Sequence, residues 1–307
     1  MTSRAAKVVA GPVGDSEVRL LRAGQDAPRS DEELARSVQA SSASARRWRA
    51  SLSAVLIGCC SIAVWLGLWE LASRYELNFF FRFENIPAPS EVLLALGELL
   101  SAPKFVSHVQ NSIVRVFLGF SVAACSAVTL GLLIGRFRLV AQALLPPLEV
   151  IRPIPAVAWI PIAILLFASS EQSMVFITFI GAFFPILLST VHGVETLDRR
   201  LVFASLSLGA GPLDVFREVI LPGAMPSIVT GLSIGMGTSW FSLVTAEMIS
   251  GQFGIGYYTW EAYTLQKYPN IVLGMISIGI LGMGSSFLIK AAGRRLMPWF
   301  TLGGGAT

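Results

Sequence analysis

Six runs of about twenty predominantly apolar residues constrain this chain more than any other feature, at roughly 52–73, 112–135, 139–168, 172–194, 226–248 and 270–291. At a rise of 1.5 Å per residue, about 20 helical residues cross the hydrocarbon core of a bilayer. Water is absent there, so each crossing segment must satisfy its own backbone amides, and a helix does so without help from its neighbours. The expectation is an all-α polytopic membrane protein with six transmembrane helices. Composition agrees: 14% of the 307 residues are charged, where a soluble domain carries about 25%. An ordinary soluble enzyme is excluded. So is a disordered chain, because 54% of the residues are hydrophobic.

Residues 1–50 differ from the rest. They hold nine Lys/Arg and six Asp/Glu around the small-residue run Ala40-Ser41-Ser42-Ala43-Ser44-Ala45, and no signal-peptide core. They read as a largely disordered cytoplasmic extension, followed by a transmembrane domain over 51–300 (core 105–292) and a tail at 301–307. Arg46, Arg47 and Arg49 would sit among anionic lipid headgroups. Lys and Arg set topology by collecting on the inner side. With the N-terminus inside, 17 of the 23 basic residues fall inside and four fall outside (Arg74, Arg82, Lys104 and Lys267), while Arg115 and Arg152 lie within spans. Both termini are expected in the cytoplasm.

Polar groups inside spans are the candidates for a transport path. Glu149 and Arg152 are three residues apart on the third span, share a helix face and can pair. Pro146, Pro147, Pro153, Pro155 and Pro161 interrupt the same span, and each removes a backbone donor. Two readings stand for Arg152: a broken helix lining a conduit, or a side chain snorkelling to the inner surface. Gly231, Gly235 and Gly237 of the fifth span allow close helix approach, and Ser233, Thr238 and Ser239 with Trp240 make a weakly polar wall. Glu247 near the outer end of that span reads as a gate or a structural pair, and Arg115 as snorkelling. Cys59, Cys60 and Cys125 read as small apolar fillers. No metal-ligand spacing occurs, and no catalytic constellation is expected.

The inner segment 195–225 carries the sharpest local signal. Leu201, Ala204 and Leu208, then Leu213 and Phe216, suggest two short helices joined at Gly209-Ala210-Gly211-Pro212. Gly209, nine residues, Val219, one residue and Leu221-Pro222 resemble the signature of binding-protein-dependent ABC-importer permeases. At its Glu-Ala-Ala positions stand Phe203, Ala204 and Ser205, so the acidic residue is absent. Ile86 to Ser90, His108 to Phe120, Pro147 to Pro161, Ala246 to Ile249 and Gly254 to Tyr257 are similar to the nitrate, sulfonate and taurine group of these permeases.

The resemblance implies a type I ABC-importer permease fold with a cytoplasmic coupling helix. Ala204, Leu208, Gly209, Ala210, Leu213, Asp214 and Phe216 would contact an ATPase. It further implies a bacterial inner-membrane protein working as a homodimer with a cytoplasmic ATPase dimer and a periplasmic solute-binding protein, importing a small anion. The chain shows no GxxxxGK[ST] phosphate cradle, so no cofactor is expected in it, and ATP with Mg would be bound by the ATPase. Membrane lipid, and no nucleic acid, completes the expected partners. A stand-alone secondary transporter or channel is the alternative.

Overall fold

The structure, a computed structural model, describes residues 56–75, 85–100, 103–250 and 252–299. The extension at 1–50 and the tail at 301–307 lie outside the described residues. Helix α1 covers Leu56–Arg74. There follow α2 (Pro89–Leu100), α3 (Pro103–Arg136), α4 (Arg138–Ile151), α5 (Ile160–Leu166), α6 (Ser170–Glu195), α7 (Arg199–Ser207), α8 (Pro212–Val215), α9 (Leu221–Ser250), α10 (Ile255–Thr264) and α11 (Tyr268–Leu296). Among the described residues all regular structure is helical. Among the described residues, five stretches are long and apolar enough to span a membrane, and a sixth is counted when α4 and the helix over Ala156–Leu166 are taken as one bent span. Among the described residues, each of the six expected runs is therefore mainly helical.

The third run differs from a simple span in a way its prolines explain. The segments Arg138–Ile151 and Ala156–Leu166 meet at 85°. Pro153 and Pro155 fall in the break and bring no amide donor, while Pro161 sits in the first turn of α5, where a missing N–H costs nothing. The fifth run also differs, because helix begins well before residue 226. The short α8 passes through a π-turn at Phe216–Ile220 straight into α9. Pro222 cannot donate to the carbonyl four residues back, and just before it the Leu221 amide bonds the Phe216 carbonyl, five residues back.

Helices α3, α6 and α9 make the core. Val116, Ala123 and Ala127 of α3 pack with Met174, Ile177, Ile186 and Leu187 of α6 and with Met236 and Leu243 of α9. Lipid gives spans no hydrophobic reason to associate, so they need close fit. Small residues supply it: a Cβ on Gly119 or Gly131 would stand 2.7 Å from Thr178 or Thr190 of α6, and one on Gly231 would stand 2.5 Å from Ser189. Thr178 and Thr190 donate to the Met174 and Ile186 carbonyls at 2.7 and 2.8 Å, so these hydroxyls are satisfied within α6. Gly235 also abuts α6, whereas Gly237 faces open space. Cys125, read from sequence as an interior filler, lies on an exposed face.

Candidate functional site

The α7–α8 hairpin is built by local chemistry. The Asp198 carboxylate accepts from the Arg200 amide at 2.9 Å and starts α7. At the other end Gly209 takes φ +87°, a conformation that disfavours a Cβ. Its N–H donates to the Leu206 carbonyl and the Ala210 N–H donates to the Ser205 carbonyl, at 3.0 and 3.1 Å. This paired pattern is a Schellman turn, which stops α7 and reverses the chain. Pro212 then opens α8, and the Asp214 carboxylate accepts from the Gly211 amide at 3.0 Å. Buried Val215 anchors the hairpin against Val194, Ile220 and Ala224.

Of the expected contact residues, Ala204, Leu208, Gly209, Leu213 and Asp214 are exposed, with Leu208 at 89%. Ala210 and Phe216 are half-buried against the anchoring cluster. Sequence reasoning missed Phe203 and Leu206, which are also exposed and enlarge the apolar face of α7. Their signal was the apolar Phe203 standing where the signature has an acid. Beside the hairpin a mainly apolar cleft of 480 Å³ lies between Leu133, Arg136 and Phe137 and Pro212, Leu213 and Phe216.

At the break between α4 and α5 a second cleft of 350 Å³ opens. Arg152 and the turn from Ile154 to Val157 form one side, Phe184 and Pro185 of α6 another, and Thr238 and Ser242 of α9 a third. Pro185 leaves the Gly181 carbonyl without its helical donor, and Gly181 also lines this cleft. Arg152 is exposed and makes no ion pair among the described residues. The expected Glu149–Arg152 pair is thus not formed, although both side chains are exposed. Ser233 lies in a separate cleft, between α9 and α11. Ser239 and Trp240 are buried, and the Trp240 indole donates to the Ser285 hydroxyl at 2.9 Å, clamping α9 to α11.

The end of the core remote from the hairpin is closed by charge. Arg115 of α3 is 2% exposed. Its guanidinium donates to Glu171 of α6 through Nε at 2.7 Å and again through Nη2, and to Glu247 of α9 through Nη1 at 2.9 Å. The same Nη1 donates to the Phe253 carbonyl. Glu247, 0% exposed, also accepts from the Ser112 hydroxyl at 2.8 Å and from the Gly256 amide at 2.9 Å in the first turn of α10, where a helix favours negative charge. The Ile255 amide donates to Ser112 at 2.9 Å and the Gly254 amide to His108 Nδ1 at 3.0 Å. Gly254 has φ +144°, and a Cβ there would overlap the Glu247 carboxylate.

The sequence reading of Arg115 as snorkelling is therefore corrected. Two carboxylates from other helices, buried Glu247 and exposed Glu171, pair with it, so its charge is met by the protein. Glu247, Ser239 and Trp240, all named from sequence for a transport path, are buried within the helix bundle. On α10, the Tyr258 hydroxyl is buried without a partner among the described residues, and burial, with the Glu261 charge adding, pushes its pKa up to about 12.

Comparison with known proteins supplies a context for this geometry. The family described as binding-protein-dependent transport system inner membrane component matches residues 127–301. A nitrate import permease protein of Synechocystis sp. is 34% identical over 73% of this chain and 82% of its own. The taurine transport system permease protein of Escherichia coli is 30% identical over 82% of this chain and 93% of its own. In three dimensions the chain resembles a solved amino acid ABC transporter structure with a TM-score of 0.55 at 16% identity, covering 65% of this chain and 97% of that one. That last likeness shows the fold.

Proposed function

Because the chain belongs to the family of binding-protein-dependent transport system inner membrane components, we propose that it is the membrane-spanning subunit of an ATP-driven importer for a small anion of the nitrate or sulfonate kind. Two copies face each other, an ATPase dimer docks on the α7–α8 hairpins, and a solute-binding protein delivers the anion at the opposite end. The hairpin faces the cytosol together with both termini, as the excess of Lys and Arg on that side supports. Residues 51–300 form the transporting body and residues 1–50 a cytoplasmic extension. ATP hydrolysis, with its Mg, belongs to the partner.

The observation that carries this reading is the hairpin itself. Leu208 and Leu213 stand out from a turn fixed by Gly209 and held down by Val215. An exposed apolar knob on a rigid base suits a hydrophobic socket on a partner. For the path, Arg152 with Thr238 and Ser242 is the favoured station. A single exposed guanidinium beside hydroxyls attracts an oxyanion without holding it tightly, which passage requires. In this reading Glu247, Ser239 and Trp240 hold the helices in place, and Glu149 is peripheral to the path.

The test is reconstitution of the chain with its ATPase and binding protein in liposomes, comparing the native chain with Gly209→Leu. Anion uptake should need ATP and all three components, and Gly209→Leu should abolish both ATPase co-purification and uptake. Uptake by the isolated chain without ATP, or undiminished ATPase capture by the variant, would refute the proposal.

A further inference from the structure

Ser233, a sequence candidate for a transport path, lies in a different cleft from Arg152. It lines a cleft of 430 Å³ between α9 and α11, formed by Val229, Thr230, Ser233 and Ile234 on one side and Ser286, Lys290 and Arg294 on the other. Ser286, Lys290 and Arg294 are spaced by four, so they occupy one face of α11. Close contact of Gly293 with Val229 brings the two helices together beside it.

The charges of this cleft have one sign. No carboxylate lines it, and neither Lys290 nor Arg294 forms an ion pair among the described residues. The Thr230 and Ser233 hydroxyls donate to the Pro226 and Val229 carbonyls at 2.8 and 2.9 Å, whereas Ser286 makes no hydrogen bond to a described residue and keeps its proton to give. The Arg294 guanidinium lies 6.0 Å from the Phe287 ring, which holds it at the cleft mouth. The two cations and one free hydroxyl donor suit a phosphate-type oxyanion.

Position selects the source of that oxyanion. Lys290 and Arg294 sit in the last two turns of α11, at the end of the bundle that carries the hairpin. The apolar walls continue into Ile234, and Phe287 and Leu288 beside the cleft are exposed. A charged mouth above an apolar wall matches a headgroup above its acyl chains, and basic clefts between spans recognise anionic lipids. We propose that the α9–α11 cleft binds the headgroup phosphate of an anionic phospholipid.

The experiment measures lipid retention by the purified full chain, using native mass spectrometry and titration in nanodiscs. The probes are dioleoyl phosphatidylglycerol, dioleoyl phosphatidylcholine and inorganic phosphate. The native chain should retain phosphatidylglycerol over phosphatidylcholine. Lys290→Gln with Arg294→Gln should weaken it by about 25-fold, from about fivefold for each cation. The charge-preserving pair Lys290→Arg and Arg294→Lys should retain it, as should Arg295→Gln, which removes an exposed neighbouring cation outside the cleft. Equal loss in Arg295→Gln would reduce the effect to a general basic belt and overturn the site. Equal retention of phosphatidylcholine, or displacement of the lipid by inorganic phosphate, would also overturn it.

Discussion

The two ends of the bundle solve opposite problems. At the α10 end, Arg115 and Glu247 are buried and drawn together with Glu171, backbone amides and a serine. At the α7–α8 end, Phe203, Leu208 and Leu213 are left in the open on a frame of backbone hydrogen bonds. Charged groups answer one another at one end, and apolar groups stand open at the other. A buried charge is safe only when every lone pair is answered, and an exposed leucine patch is useful only when it will be covered.

This contrast is breakable, and the largest effect is expected at the charged end. Arg115→Met leaves the Glu247 carboxylate buried without a counter-charge, and should cost about 3–5 kcal/mol. Thermal unfolding in detergent should report it, and a melting curve unchanged from the native chain would remove the clamp from the account of stability. Next comes Gly254→Ala, which brings a methyl group onto the same carboxylate in a backbone conformation of high strain. A loss on the order of 1–3 kcal/mol is expected, read by the same melting experiment.

At the hairpin the effect should fall on affinity and spare the fold. Leu208→Asp is predicted to weaken ATPase binding by tenfold or more, at least about 1.4 kcal/mol for an anchor residue, with an unchanged melting temperature. A drop in stability equal to the drop in binding would show that Leu208 is packed rather than presented. The smallest change is expected at the break between α4 and α5. Arg152→Gln should slow anion uptake by about fivefold, the order of one net hydrogen bond, while ATPase assembly stays intact and Arg152→Lys recovers part of the rate.

How much of this was legible depended on how local each signal is. The six spans follow from hydropathy alone, since a residue of a crossing helix must suit an apolar setting whether it faces lipid or a neighbouring helix. The turn at Gly209 was readable because Gly209, Gly211 and Pro212 settle it within four residues. The π-turn had a signal in Pro222, which announces a missing donor without saying how the ladder adjusts. The charged clamp was not readable in the same way. Glu171 and Glu247 lie 56 and 132 residues from Arg115 along the chain, and no periodicity links them. What was available was an accounting clue: ionisable groups at the ends of three spans, in a setting where none can stand alone.

Continuity of α8 with α9 has a mechanical consequence. From Pro212 to Ser250 the backbone is one helical rod of 39 residues, about 58 Å long at 1.5 Å per residue. A hairpin hung on flexible loops would absorb a push from below. In the proposed assembly, a push on the hairpin would enter a continuous helix near one tip and be delivered near the other, where Glu247 grips α3 and α10.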